Sequence, residues 1–595
     1  MTTSKSRTKR FKIICSHPTP DNYPLSMGML LAYAKSHLSE QVFNLGPFYA
    51  GDEDELKALL DNESQNILLC TNYVWCIDFN LELCRQAKEL DPGILTIHGG
   101  QSTPAYPEAA ETFLRLHPEV DFAVCGEGEI ILVELLTALA EERTEIQIPG
   151  VSYLDGEVMV RNPGQLPHDD INDFPSPYLT GLFDNIDPSV CTFATVESNR
   201  GCPYGCAYCS WNDPNEASHH KLRLYDMDRV RQEIEWTAKR GVDKLFIADS
   251  NFGILERDSE VAQAIADTKR KYGHPSTVII NYAKNTHQHV LKILNILESV
   301  KVNSNGGAIG IQTRDPETLK VIKRHNISSE DFDRLKEALI SQGHPLEIHL
   351  MLGLPGATPT AFVNDLQHYF DEPIDVTMFH TVLLPNSPMA HPDFMQEHGI
   401  VADEHGNISA TRTMSRVDME RMKKLGCIFD AAHNLGILRW PLLWLQWERG
   451  KDAVSLLLEI LDDPETSRKF PRMGEAVFNT SSRLVHDHFR TKKERMGFDW
   501  KTFHEEFAHW VNDHYAFEVD DVFVSLLDAQ TAIMPNRNVD YPLQVNLAHD
   551  VVSWYTDRKA GSEKPLSHYG PGTLAVQEPC FFWKRFLRKN IYLED

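Results

Sequence analysis

Long apolar runs are missing from this chain. None approaches the roughly 18 uninterrupted apolar residues that a membrane span requires, although 42% of the 595 residues are hydrophobic. The opening stretch, MTTSKSRTKRFKIICSHPTPD, is basic, but its apolar part is short and polar residues follow, so it lacks the h-region of a secretory signal. Cysteine is scarce: 11 residues, an odd number, scattered along the chain. That is no disulfide framework and fits a reducing compartment. Positive charge is in deficit, with 58 Lys and Arg against 85 Asp and Glu, a formal net charge of −27. Such a surface repels a phosphate backbone, and no basic patch is legible that would reverse the effect. These absences lead us to expect a cytoplasmic protein without membrane or nucleic-acid partners, acting on a small molecule or peptide. Internal repeats and low-complexity segments are absent too.

What is present is a long alternation of strand and helix signals, enough chain for about three domains. In residues 1–147, FKIIC (11–15), NILLCT (66–71), GILTIHGG (93–100) and DFAVCG (121–126) read as strands separated by amphipathic helical stretches. This is the pattern of a Rossmann-like parallel sheet covered by helices. Ligands of such sheets sit at the carboxyl ends of the strands. There the sequence places Asn72, Tyr73 and Trp75; then Gly99, Gly100, Gln101, Ser102 and Thr103; then Gly126, Glu127, Gly128 and Glu129. Glycines at those points let backbone approach a bulky ligand, although tight turns alone would use them as well.

Residues 148–188 are rich in Pro, Gly and Asp and read as a hairpin around Asp155-Gly156 followed by a linker. Six further strand signals follow in 189–400, at 191–198, 244–250, 277–282, 308–313, 347–353 and 376–382. Helical stretches lie between them, such as 227–240, where Val230, Ile234 and Ala238 recur every four residues. Six units predict a partial parallel (β/α)6 barrel of TIM type, with its ligands at the carboxyl ends of the strands. Residues 401–595 read as a mainly helical, aromatic-rich domain.

Just after the first barrel strand stands RGCPYGCAYCSW (200–211), with Cys202, Cys206 and Cys209 at spacings of four and three. Thiolates at such spacing hold zinc or an iron-sulfur cluster, and ligand count separates the two. A structural zinc wants a fourth ligand, for which His219 and His220 are the nearest candidates. A four-iron cubane on three cysteines leaves one iron open, which gives the arrangement a purpose.

The Cys-x3-Cys-x2-Cys motif with Tyr208 before its last cysteine resembles the signature of the radical S-adenosylmethionine (SAM) superfamily. The resemblance implies a [4Fe-4S] cluster held by Cys202, Cys206 and Cys209, with SAM chelating the open iron and Tyr208 packing near the adenine. Glu197 and Arg200 resemble the lead-in to that motif, while IADSNF (247–252), IGIQT (309–313) and LGLPGAT (352–358) resemble strand ends that contact SAM, putting Asp249, Gln312 and Gly353 in its pocket.

A Rossmann-like domain ahead of such a barrel resembles the cobalamin (B12)-dependent branch, whose cobalamin cleft HGGQSTPAYPE and VDFAVCGEGE resemble in turn. The Asp-x-His-x-x-Gly motif for an axial histidine is absent, and His98 has the wrong neighbours for it. TNYVWC resembles the stretch under the corrin, which makes Trp75 the candidate for cobalt's lower face.

The branch implies C-methylation of an unactivated or aromatic carbon in natural-product metabolism: a 5′-deoxyadenosyl radical from SAM activates the substrate and methylcobalamin delivers the methyl group. It also implies an electron donor such as flavodoxin or ferredoxin. Alternatives are a rearrangement or cyclisation without methyl transfer, or a non-radical indole-type methylation. A tRNA methylthiotransferase would need a further cysteine cluster, which Cys15, Cys70, Cys76, Cys84 and Cys125 do not form convincingly. A sensor without catalysis would need no SAM pocket. The segments 383–392 and 439–447 are candidates for lining a substrate cavity, although an aromatic stripe at helical spacing is more often core.

Overall fold

The apolar runs of the N-terminal part form one sheet. In the computed structural model, described at all residues except 1–8, 47, 165–166, 212–220, 284–286, 305–306, 342–345, 479–490, 518 and 592–595, that sheet has the order β2-β1-β4-β5-β6-β7-β8, with β3 also beside β1. Its strands are β1 (Phe11–Ser16), β2 (Phe43–Asn44), β3 (Tyr49–Ala50), β4 (Gln65–Thr71), β5 (Leu95–Gly99), β6 (Phe122–Val124), β7 (Val151–Asp155) and β8 (Val158–Arg161). β1 through β6 pair in parallel, and Cys70 on β4 is in register with His98 on β5. Helices α1 (Leu25–His37), α2 (Glu53–Leu59), α3 (Ile77–Leu90), α4 (Pro107–Leu116) and α5 (Gly128–Ala140) connect them. Asn66 to Cys70 are all buried, as expected of a parallel strand covered on both faces.

The hairpin expected at Asp155-Gly156 is present, with Gly156 in the left-handed region at φ 57°. It is more than a connection, because β7 pairs antiparallel with β6 and so extends the sheet. The two-residue strands β2 and β3 are too short to leave a periodic signal, and the sequence reading did not anticipate them.

The chain divides into two compact units, Met1–Ala308 with Lys323–His344 and Leu383–Glu397, and Ile309–Ile322 with Pro345–Val382 and His398–Asp595. The division runs through the stretch read as a barrel. In the first unit, β9 (Phe193–Val196), β12 (Lys244–Phe252), β13 (Thr277–Tyr282) and β14 (Asn303–Ser304) form a parallel sheet of order β14-β13-β12-β9, while β10 (Asn199–Arg200) and β11 (Arg223–Leu224) form an antiparallel pair. Helices α6 (Met227–Lys239), α7 (Asp258–Tyr272) and α8 (His287–Glu298) alternate with these strands, and α6 buries Val230, Ile234 and Ala238 as its periodicity requires.

The second unit contains the three-stranded sheet β15 (Gly307–Gln312), β16 (Leu346–Leu352) and β17 (Asp375–His380). Beyond it, the unit is mainly helical, with long helices at Arg416–His433, Arg439–Arg449, Trp500–Tyr515 and Asp521–Ile533 and a two-stranded antiparallel pair, Leu543–Leu547 with Gly572–Val576. Trp440 and Trp444 of the 439–447 stripe are buried, so these rings belong to the core. Among the described residues, no helix is long and apolar enough to cross a membrane.

Candidate functional site

Within the first unit, the carboxyl ends of the N-terminal sheet and of the β9-β12-β13 strands open onto one cavity of about 740 Å³. One wall carries Tyr73, Trp75, Gly99, Gly100, Gln101, Gly126, Gly128 and Glu129. The other carries Phe193, Thr195, Glu197, Arg200, Trp211, Phe246 and Asn281. Most of the residues expected at the strand ends are thereby brought together. Trp75 is 71% exposed and lies flat on Tyr73, with ring centroids 4.6 Å apart and planes 6° from parallel. The two rings form an aromatic platform at the edge of the cavity, with the Trp75 face left open.

The frame beneath this wall is made of other expected residues. Asn72 is fully buried: its backbone N–H donates to Gly99 O at 2.7 Å and its carbonyl accepts from Ser102 N at 2.9 Å. Its side-chain nitrogen donates to Thr103 Oγ1 at 3.0 Å, and the Thr103 hydroxyl donates to Gly99 O at 2.8 Å. Gly100 must be glycine here. Its φ is 89°, and a Cβ would stand 2.8 Å from Asn72 O. Gly126, at φ 96°, has nothing within 4 Å of a Cβ position, so its backbone faces open space. His98 is fully buried below the strand ends, held by Asn72 and Cys84, and does not line the cavity.

The lead-in to the cysteines is tied down by charge. Arg200 reaches Glu129 at 2.9 Å, Glu197 at 3.0 Å and Glu127 at 3.5 Å, and Arg223 reaches Glu127 at 2.6 Å. Burial opposes the charge on Arg200, but the surrounding carboxylates outweigh it and hold its pKa well above the ordinary value. Burial likewise opposes the charge on Glu127, yet Arg223 and Arg200 bring its carboxyl below the ordinary range. This network ties the Gly126–Glu129 loop to the start of the cysteine loop.

In the cysteine loop, Cys202 and Cys206 are buried and Cys209 is partly exposed. Asn251 Nδ2 donates to Cys202 Sγ at 3.3 Å, and Arg324 Nη1 stands 3.7 Å from Cys206 Sγ and donates to the Tyr208 hydroxyl at 2.5 Å. Among the described residues, only Cys70, Cys84 and His98 form a ligand group with all donor atoms within 4.8 Å of one another. Cys202, Cys206 and Cys209 are therefore spread wider. His219 and His220, the candidates for a fourth zinc ligand, lie outside the described residues.

Asp249 is turned inward. Its carboxylate accepts from Ser198 N and Asn199 N at 2.8 and 3.3 Å and from the Ser198 hydroxyl, and burial pushes its pKa up to about 7. It holds the strand that leads to the cysteines. Gln312 ends β15 at φ 69°, an uncommon backbone for a side-chain-bearing residue, and Gly353 follows β16 at φ 93°, where a Cβ would lie 3.3 Å from Met419 Cε.

Sequence reasoning missed Asn251, Arg223, Arg324 and Asn386. Asn251 lies in IADSNF, two residues past Asp249. Asn386, in the 383–392 turn, accepts from Ala105 N at 2.8 Å and donates to Gln101 O and Thr103 O at 2.9 and 2.8 Å. In the same turn, Met389 N donates to Ala207 O in the cysteine loop at 2.9 Å. The turn clamps two loops to each other, and no local pattern announces that.

Residues 196–368 match the radical SAM superfamily. The chain is 33% identical over 391 residues to the 2-(S-pantetheinyl)-carbapenam-3-carboxylate methyltransferase of Streptantibioticus cattleyicolor, covering 63% of this chain and 56% of that one. It is 30% identical over 393 residues to the cobalamin-dependent radical SAM methyltransferase TokK of Streptomyces tokunonensis, with the same coverage. The match therefore spans little more than half the length of these relatives. Among solved structures, the methyltransferase TsrM from Kitasatospora setae, with cobalamin and a [4Fe-4S] cluster bound, has the same fold at a TM-score of 0.51. It is 15% identical, and the alignment covers 86% of this chain and all of that one.

Proposed function

Because this chain carries a radical SAM domain and is related to cobalamin-dependent radical SAM methyltransferases, we propose that it is a cobalamin-dependent radical SAM C-methyltransferase acting on a small natural-product scaffold. The observation that carries this reading is the single cavity whose walls are the loops of the N-terminal sheet and the lead-in to the cysteine loop. Trp75 stacked on Tyr73 offers a flat surface for a corrin, and the open backbone at Gly126 leaves room for its edge. Three cysteines, Cys202, Cys206 and Cys209, on one short loop suit a cubane held at three corners. When bound, the cluster supplies the electron that cleaves SAM, and cobalamin supplies the carrier of the methyl group.

The rest of the work falls to the chain's own groups. Asn251 and Arg324 donate toward two of the sulfurs, which stabilises negative charge there. Arg324 also fixes the Tyr208 ring through its hydroxyl and keeps a cation beside the cysteine loop. Asp249 positions Ser198 and Asn199, while Gln312 and Gly353 turn the chain at the strand ends where SAM contacts are expected. Phe193 and Phe246 give the cavity an apolar wall that keeps water from a reactive intermediate. Domains of 1–147, 189–400 and 401–595, a cytoplasmic location, an electron donor of flavodoxin or ferredoxin type and no nucleic-acid partner complete the proposal.

The test is anaerobic reconstitution with iron, sulfide and hydroxocobalamin, followed by incubation with SAM, a strong reductant and the pantetheinyl carbapenam named for the relative. We expect one corrin and one four-iron cluster per chain, 5′-deoxyadenosine release, and a product heavier by one methylene. A cluster without retained corrin would remove cobalamin from the reading, and an unchanged mass with a rearranged product would replace methyl transfer.

A further inference from the structure

Beneath the cavity wall, and outside the proposed chemistry, Cys70, Cys84 and His98 meet in the core of the N-terminal sheet. They are 2%, 0% and 0% exposed. Cys70 and His98 are in-register neighbours on β4 and β5, and Cys84 comes from α3, which follows the platform segment. The two sulfurs are 3.6 Å apart, and Cys84 Sγ lies 3.2 Å from His98 Nε2. Ile14, Leu68, Leu83, Ala87 and Ile94 pack around the cysteines.

The hydrogen bonds around this group run in one direction. A backbone carbonyl only accepts, so Asn80 presents its amide nitrogen to Thr71 O at 2.9 Å. That nitrogen also donates to Asn72 Oδ1 at 2.9 Å, leaving the Asn72 nitrogen to face Thr103 Oγ1 and His98 Nδ1, at 3.0 and 3.1 Å. Nδ1 is therefore the acceptor, and Nε2 carries the ring proton toward Cys84. In this arrangement the Nε2 lone pair that a metal ion would need carries a proton. Cys84 instead accepts from His98, and its contact with Cys70 can be donated by either sulfur. The hydrogen bond from Cys70, then that from His98, lower its pKa against the opposing burial, whereas burial raises that of Cys70. The two sulfurs stand in van der Waals contact with nothing between them.

We propose that Cys70 and Cys84 are a buried redox pair, closed to a disulfide by a hydroperoxide, that staples the two ends of the segment carrying Tyr73 and Trp75. The Cys84 thiolate attacks hydrogen peroxide: an S–O bond forms, the O–O bond breaks, and the departing hydroxide takes a proton from solvent to leave as water. The Cys70 sulfur then attacks that of Cys84: the S–S bond forms, the S–O bond breaks, and the Cys70 proton leaves with the hydroxyl as a second water. The two sulfurs together lose two electrons and the peroxide gains them. Oxidation also removes the acceptor of His98 Nε2, whose other nitrogen holds Asn72 at the base of the platform. This inference does not depend on the proposed methyl transfer.

The test uses the full-length protein prepared anaerobically under reduction and titrated with hydrogen peroxide. It is then denatured in N-ethylmaleimide, digested, and mapped by tandem mass spectrometry. The expected product is a Cys70–Cys84 disulfide, lighter by two hydrogens, with Cys76 alkylated and the bond reversed by dithiothreitol. In Cys70→Ser, peroxide should leave a sulfenic acid on Cys84 that dimedone captures, and in Cys84→Ser Cys70 should give none. Full alkylation of both cysteines after peroxide, pairing of either with Cys76, or one zinc per chain lost in Cys84→Ser would each overturn the proposal. If Cys70→Ser does not fold, the wild-type disulfide map decides alone.

Discussion

A single carboxyl group shows how burial converts into a measurable property. Asp249 sits in the core with its pKa raised to about 7, against an ordinary value of 3.8. An unfolded chain releases this proton near pH 4, whereas the folded chain keeps it until about 7. The folded state thus binds more protons across that window, so this residue's contribution to stability is fully present below pH 4 and is lost as pH rises to about 7. Asn at this position keeps the acceptor for the two backbone N–H groups and cannot ionise. Chemical denaturation of wild type and Asp249→Asn should show the difference between them changing across pH 4 to 7 and flat outside it. Gly100 and Trp75 make a second contrast. Gly100→Ala forces a Cβ against Asn72 backbone at positive φ, so it should cost about 1–3 kcal/mol of stability. Trp75→Ala removes an exposed ring and should change stability by only about 0.5 kcal/mol. Both should reduce cobalt retained per chain after reconstitution, but only Gly100→Ala should lower the melting temperature.

At the scale of elements, two devices join loops distant in sequence. The first is the charge network in which Arg200 serves three carboxylates. Replacing it with Gln leaves Glu129 and Glu197 buried or half-buried without their cation, a loss of about 3–5 kcal/mol for a buried pair broken on one side. The second is Asn386, whose three hydrogen bonds hold the 101–105 loop. Asn386→Ala should lower retained cobalt severalfold and leave iron nearly unchanged, because the cysteines are seated by other contacts. Metal analysis of the reconstituted variant checks this. The sequence made the strand ends readable because glycines and polar residues interrupt apolar runs at Thr71, Gly99 and Val124. The cysteine motif was readable because its spacing is local. Arg324 and Asn386 were not, because each becomes meaningful only when folding sets it beside a residue more than a hundred positions away. His98 looked like a poor axial ligand from its neighbours, and its true partner, Cys84, follows from strand register and helix packing that no single segment encodes.

For the whole molecule, the net charge of −27 sets the terms of encounter with any protein that delivers electrons. If the donor is itself acidic, long-range repulsion slows association, and salt shortens its reach to about 10 Å at 0.1 M ionic strength. The rate of reduction by an acidic carrier should therefore rise with ionic strength in stopped-flow measurements, whereas a small uncharged reductant should be indifferent to salt. The hairpin β7–β8 bears on how the chain tolerates being cut. β6 is three residues long, and one of its edges is covered only by β7. A fragment ending at 147, where the sequence suggests a boundary, would strip away that cover and expose unpaired N–H and C=O groups of Ala123 and Val124, an open invitation to strand addition from another copy. The hairpin thus shields the edge of β6 from strand addition.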